Sequence, residues 1–164
     1  MSKLRRSIRQ LGLLVALVAW PAGVTRAAAL DCQGTPGEVR LIVLIEGARS
    51  REGLIDVTVY PDDPQRFLKR GGPIRGLSGL TTATETPVTR MCIWLQRPGA
   101  YAISVYHDAD SDGRFDQSFI GLPKEGYGFS NNPSTLVGPP SFRAARFVVR
   151  EGDVQIIIRL SYFG

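Results

Sequence analysis

The sequence predicts an all-β protein: a single antiparallel β-sandwich of about seven strands, Ig-like in its strand number, behind an N-terminal export signal. Three observations carry this. Apolar and polar residues alternate with period two through several short stretches. Turn residues (Gly, Pro, Asp) separate those stretches. No segment holds a helical period over three turns.

The chain opens with "MSKLRRSIRQ", which carries Lys3, Arg5, Arg6 and Arg9 and no acid. An apolar run, "LGLLVALVAW", follows, and "PAGVTRAAA" ends in small residues. This order describes a secretory signal peptide over residues 1–29, cleaved near Ala29, ahead of a domain over 30–164. The apolar run is about half of the roughly 20 residues a membrane-spanning helix needs, so no membrane insertion is expected after cleavage. Arg5-Arg6 matches a twin-arginine export motif only in part. Asp31, before Cys32 where a small residue is needed, argues against lipid attachment at that cysteine.

The whole chain has 20 Lys+Arg against 15 Asp+Glu. Five of the bases (Lys3, Arg5, Arg6, Arg9 and Arg26) fall in the signal, and no acid does. The remainder is 15 against 15, formally neutral. The high pI therefore belongs to the signal, and nothing points to nucleic acid. The expected location is the periplasm or the outside of the cell. There the only two cysteines, Cys32 and Cys92, are expected to form a disulfide. A metal-thiolate site lacks partners, since His107 is the single histidine.

The strands read in order. "EVRLIVLIEG" (38–47) is nearly all apolar, and "LIDVTVY" (54–60) sets Ile55, Val57 and Val59 on one face. "PDDPQRFLKRGG" (61–72) breaks the pattern, with one helical turn at most. "GLSGLTTATETP" (76–87) is a loop or an edge strand. "VTRMCIWLQ" (88–96) places Met91, Ile93 and Leu95 opposite Arg90, Cys92 and Trp94, and "RPGAYAISVYH" (97–107) alternates after a Pro-Gly turn. "FRAARFVVRE" and "DVQIIIRLSYF", joined at Glu-Gly-Asp, read as a closing hairpin. Trp94, Tyr101 and Tyr106 read as core or cross-strand aromatics. Residues 117–141 lack alternation and are long for a loop in a compact domain. Phe119, Tyr127 and Phe129 are expected to pin this segment to the sandwich. Tyr127, Phe129, Asn131 and Asn132, with His107 nearby, are candidates for touching a partner.

The chemistry concentrates in "HDADSDGRFD" (107–116). Asp108-x-Asp110-x-Asp112-Gly113 matches the first half of an EF-hand calcium loop. Alternate side chains on a tightly curling loop converge, and the glycine allows the turn. The Arg114 carbonyl would stand at the seventh position and Asp116 at the ninth. Four carboxylates so close together cost about 1 kcal/mol per near pair even in water-like surroundings, which a cation relieves. The match fails at the twelfth position, where Phe119 replaces the bidentate glutamate, and a strand rather than a helix enters the loop. Calcium would be held by a strand-mounted loop, with Glu125 or Asp116 completing the oxygens, at a weak affinity of about 10⁻⁴–10⁻³ M. The competing reading makes the aspartates Asx-turns in a solvated hairpin end. His107 is a general base or a metal ligand in one reading, and a strand-end residue bonded to a loop carbonyl in the other. No nucleophile elbow is present, and "YGFSNN" does not supply one.

"PGAYAISVYHDADSDGRFD", "IGLPKEGYGFSNN", "GPPSF" and the final "IIIRLSY" resemble a bacterial family of exported proteins catalogued as domain of unknown function 2141. The likeness runs from "RLIVLIEG" to the last strand and is most specific between Pro98 and Phe142. It implies export and a sandwich-like domain but no reaction. Relatives in that family often carry asparagine at the positions of Asp110 and Asp112, which keeps oxygen ligands at lower charge. "PGAYAISV" is similar to the turn-strand of prealbumin-like sandwiches used as accessory modules. Three functions stay open: a non-enzymatic module with a calcium-tied loop that meets a cell-envelope or extracellular partner, a hydrolase using His107 with Asp108 or Glu125, and a purely structural envelope module.

Overall fold

The computed structural model describes residues 31–163, and the expected signal at 1–29 lies outside them. The described chain is mostly β. Nine strands and one helical turn follow in order: β1 Cys32–Gln33, β2 Val39–Glu46, β3 Leu54–Pro61, β4 Leu80–Ala83, β5 Val88–Leu95, β6 Gly99–Asp108, β7 Gly126–Phe129, α1 Phe142–Ala145, β8 Phe147–Val149 and β9 Gly152–Arg159. They form two sheets. One has the order β1-β5-β2-β9. The other has the order β4-β3-β6-β7, with β8 paired to β6 beyond the end of β7.

Alternation builds both sheets. Val39, Leu41, Val43 and Ile45 of β2 are fully buried, as are Ile55, Val57 and Val59 of β3. With Met91, Ile93 and Leu95 of β5 and Tyr101, Ile103 and Val105 of β6, they form one core between the sheets. Each such side chain contributes about 1.5–3 kcal/mol on burial. The second sheet is covered on its outer face as well. Tyr60, Ala102 and Phe129 point outward there and pack with Phe67, Phe142 and Ala145. Ser141 caps α1, its side chain accepting from the Ala144 N–H, and so fixes where Phe142 enters this cluster.

The β1-β5-β2-β9 sheet is mixed, and only the β4-β3-β6-β7 sheet with β8 is purely antiparallel. β2 pairs β9 in parallel, and β1 pairs β5 in parallel. The expected closing hairpin is absent: β8 lies on β6 in one sheet and β9 on β2 in the other, so Glu151 carries the chain across the sandwich. A hairpin is what period-two runs around a short turn ordinarily make. Here the turn links two layers, and β9 is free to run parallel to β2. The first residues of that predicted strand, Phe142–Ala145, are helical.

β7 lies inside the segment expected to be a loop. Its alternation is Gly126-Tyr127-Gly128-Phe129, with glycine where an apolar residue would mark the inner face. A Cβ at Gly126 would stand 2.2 Å from the Tyr162 ring, and one at Gly128 would stand 2.6 Å from the Arg159 carbonyl. The glycines admit the C-terminal tail, which bridges back to β7 at Tyr127 and Ser161. Ser130 extends the ladder past β7: its N–H donates to the Ile103 carbonyl at 3.0 Å, and its hydroxyl accepts the Ile103 N–H at 2.9 Å. The Cys32–Cys92 disulfide joins paired residues of β1 and β5, sixty positions apart.

Candidate functional site: an acidic loop at the end of β6

β6 ends at Asp108, and β7 begins just after Glu125. His107 pairs with Gly126, so the antiparallel register sets Asp108 opposite Glu125. Both side chains are buried, at 1 % and 8 % exposure. Asp110 leans over them from the loop. One carboxylate oxygen of each of Asp108, Asp110 and Glu125 lies within 4.8 Å of the other two. Directly opposed like charges on a sheet are destabilising, and here they are also partly dehydrated.

The loop backbone wraps the pair. Asp108 accepts N–H bonds from Asp112 at 3.1 Å and from Gly113 at 3.0 Å, one on each oxygen. Glu125 accepts from Ala109 at 3.3 Å and Asp116 at 3.0 Å, again one on each oxygen. These amides offset part of the repulsion. Burial still pushes the Glu125 carboxyl above its ordinary range; the Asp116 and Ala109 amides pull it down, and the Asp108 and Asp116 carboxylates push it further up. The salt bridges among the described residues, Arg40–Asp153, Arg146–Asp62 and Arg159–Glu46, lie elsewhere. The donor set is therefore three hard oxygens from two strand ends and one loop, which is the ligand type calcium takes.

The remaining residues expected in the metal set, Asp112, Arg114 and Asp116, lie outside this three-carboxylate group and make local hydrogen bonds. The Asp112 carboxylate accepts the Arg114 N–H at 2.8 Å, an Asx-turn, and Asp110 accepts the Asp112 N–H at 3.3 Å in the same way. Both Asp112 and Asp110 thus make the turns expected of them, and Asp110 also stands in the three-carboxylate group. Arg114 is exposed and gives its N–H to that turn, a bond that does not engage the carbonyl expected at the seventh position. Asp116 joins through its backbone, giving its N–H to Glu125 and its carbonyl to Lys124.

A third buried acid lies one register step along the sheet. Asp56 of β3 pairs with Tyr106 of β6, two residues before Asp108. Burial pushes its carboxyl up to about 6; hydrogen bonds from Tyr106 and Thr58 hold it down, and Asp108 adds a small upward push. Neither the loop motif nor its spacing could reveal Asp56, since its own strand reads as an ordinary alternation.

His107 belongs to a different surface. Successive strand residues point to opposite faces. Asp108 follows Ser104 and Tyr106 outward, while His107 follows Ile103 and Val105 inward. It is 2 % exposed. Its Nε2 lies 2.8 Å from the Glu52 carbonyl, and its Nδ1 lies 2.8 Å from the Tyr162 hydroxyl. A carbonyl only accepts, so Nε2 carries a proton and donates. Both ring nitrogens are occupied inside the fold. The structure does not join His107 to Asp108 or to Glu125.

Of the partner candidates, Tyr127 and Phe129 stand on β7, half-buried and buried. Asn131 donates to the Arg146 carbonyl, and Asn132 binds the β9 edge, accepting the Arg159 N–H at 2.7 Å and donating to the Ile157 carbonyl at 2.9 Å. Both amides are structural staples, Asn131 at the end of α1 and Asn132 at the otherwise open β9 edge. Phe119, expected to pin the segment, is fully exposed at the tip of the 109–125 loop, beside Ile120. Phe115 does the pinning instead, with its ring between Tyr106 and Tyr127 at 5.7 and 5.9 Å.

No curated protein and no solved structure matches the chain. One family model does, described as an uncharacterized protein conserved in bacteria (DUF2141), over residues 43–157. That span begins within β2, ends within β9 and contains the whole acidic loop. The chain belongs to the bacterial family DUF2141.

Proposed function

We propose that this protein is an exported, non-enzymatic binding module whose 109–125 loop is closed by calcium and presents its tip to a cell-envelope or extracellular partner. The observation that carries the reading is the convergence of the Asp108, Asp110 and Glu125 carboxylates within 4.8 Å, two of them buried. A divalent cation removes the repulsion between them and adds ligand bonds at little cost in order, since both strand ends are already fixed. Water and loop carbonyls complete the six to eight oxygens calcium requires. Phe119 and Ile120 at the loop tip supply the exposed apolar surface for a partner. Export is supported by the leader-like N-terminus and by the Cys32–Cys92 disulfide, a bond that persists in oxidising compartments.

The hydrolase alternative loses its base, because His107 is buried with both nitrogens bonded. Thermal melting in chelator and in 10 mM calcium tests the calcium reading. At an affinity of about 10⁻⁴–10⁻³ M, calcium stabilises the fold by roughly 1.4–2.7 kcal/mol and raises the melting temperature by about 5–10 °C. Asp108→Asn abolishes the rise. Equal melting temperatures with and without calcium would leave a scaffold with an acidic turn.

A further inference from the structure

The outer face of the second sheet holds a cavity of about 740 Å³, between β6, the 115–123 stretch and the 135–139 stretch. This is within the roughly 300–1,000 Å³ of small-molecule sites. Its walls are the rings of Tyr106, Phe115, Tyr127 and Phe129, linked edge to face at 5.7–6.2 Å. Thr58, Ser104 and Tyr60 bring hydroxyls to its floor, the Tyr60 hydroxyl bonded to that of Ser104. No Asp, Glu, Lys, Arg or His lines it. At the rim Leu136 is 89 % exposed and Val137 fully exposed. An aromatic chamber with an apolar rim left open to water is unfavourable unless something fills it.

We infer that this cavity is a binding site for an uncharged small molecule with a flat or chain-like apolar body and one hydroxyl or carbonyl end. The absence of lining charge excludes recognition of phosphate, carboxylate or ammonium groups, since each needs a charged or strongly polar partner once desolvated. The rings supply face and edge contacts for the body, and the floor hydroxyls orient its polar end. Neutral sugars satisfy the hydroxyls but waste the aliphatic rim, so the geometry favours the amphiphile. The inference stands on the cavity and its lining, which include none of Asp108, Asp110 and Glu125, although Phe115 and the 117–123 wall belong to the same 109–125 loop.

The test uses the uncharged fluorophore N-phenyl-1-naphthylamine. Its emission should rise saturably with one site per chain. Leu136→Asp, at a rim position 89 % exposed where the melting temperature should stay unaltered, should weaken binding by about tenfold or more, since it sets a charge against an apolar ligand. Val148→Asp, on β8 and 63 % exposed outside the cavity, should leave it unchanged. Dodecanol should displace the fluorophore, and maltotriose at millimolar concentration should not. Non-saturable binding, equal loss in both variants, no loss in Leu136→Asp, or displacement by maltotriose alone would each overturn the assignment.

Discussion

Asp108 and Glu125 face each other because β6 and β7 keep register to their ends, and each is wrapped by two loop amides. Those amides compensate in part. The carboxylates still repel, and Glu125 is held above its ordinary range first by burial. Glu125→Gln removes one charge but keeps a single acceptor oxygen, so one of the Ala109 and Asp116 amides then faces the side-chain NH2. In chelator the relieved repulsion and the lost amide bond oppose each other, so the net change in urea denaturation should stay within about 1 kcal/mol of zero. If it destabilises, the amide bonds outweigh the charge. Gly126 is as constrained as its neighbour. A methyl group there meets the Tyr162 ring, so Gly126→Ala should cost about 1–3 kcal/mol by the same measurement. The sequence motif identified Asp108 and Asp110 by spacing and offered Glu125 as a completing oxygen. It could not say that Asp112 stands apart from the converging carboxylates, because turn formation and metal binding ask for the same residues.

At the scale of elements, β2, β3, β5 and β6 were legible because each buries one clean face. β7 was not. Its inner positions are glycines, placed for the crossing tail, and a hydropathy period cannot register an absent side chain. The β8–β9 link failed for another reason: alternation marks strands but does not say which sheet each joins. β1 is only two residues long, and the disulfide to β5 is what holds it. The closed segment of sixty positions corresponds to about 4 kcal/mol in the chain-entropy account. Replacing both cysteines by serine should thus lower unfolding stability by about 2–4 kcal/mol. A loss below 1 kcal/mol would mean that β1 is held by its strand pairing alone.

Over the whole molecule, the acidic loop and the aromatic cavity share one face of one sheet. Ser104, Tyr106 and Asp108 alternate outward along β6, the first two lining the cavity and the third anchoring the loop. Phe115 sits in the loop and forms a cavity wall. Acid stability should report on this face. The Asp56 carboxyl is raised to about 6, and Glu125 is raised as well, so the folded protein takes up protons more readily than the unfolded chain. Their contribution is fully present below the unfolded values near 4 and is lost as pH rises through about 6. In chelator, melting temperature should therefore climb as pH falls from 7 to 5, and Asp56→Asn should flatten most of the climb. In calcium the trend should weaken, because protons compete with the ion for Glu125.

The most direct measurement is calorimetric titration of the chelator-stripped protein with calcium at pH 7.5, beside Asp108→Asn. The account predicts one site per chain with a dissociation constant of about 10⁻⁴–10⁻³ M, weakened at least about tenfold in the variant. Absence of binding heat at millimolar calcium, or equal heat in Asp108→Asn, would contradict it.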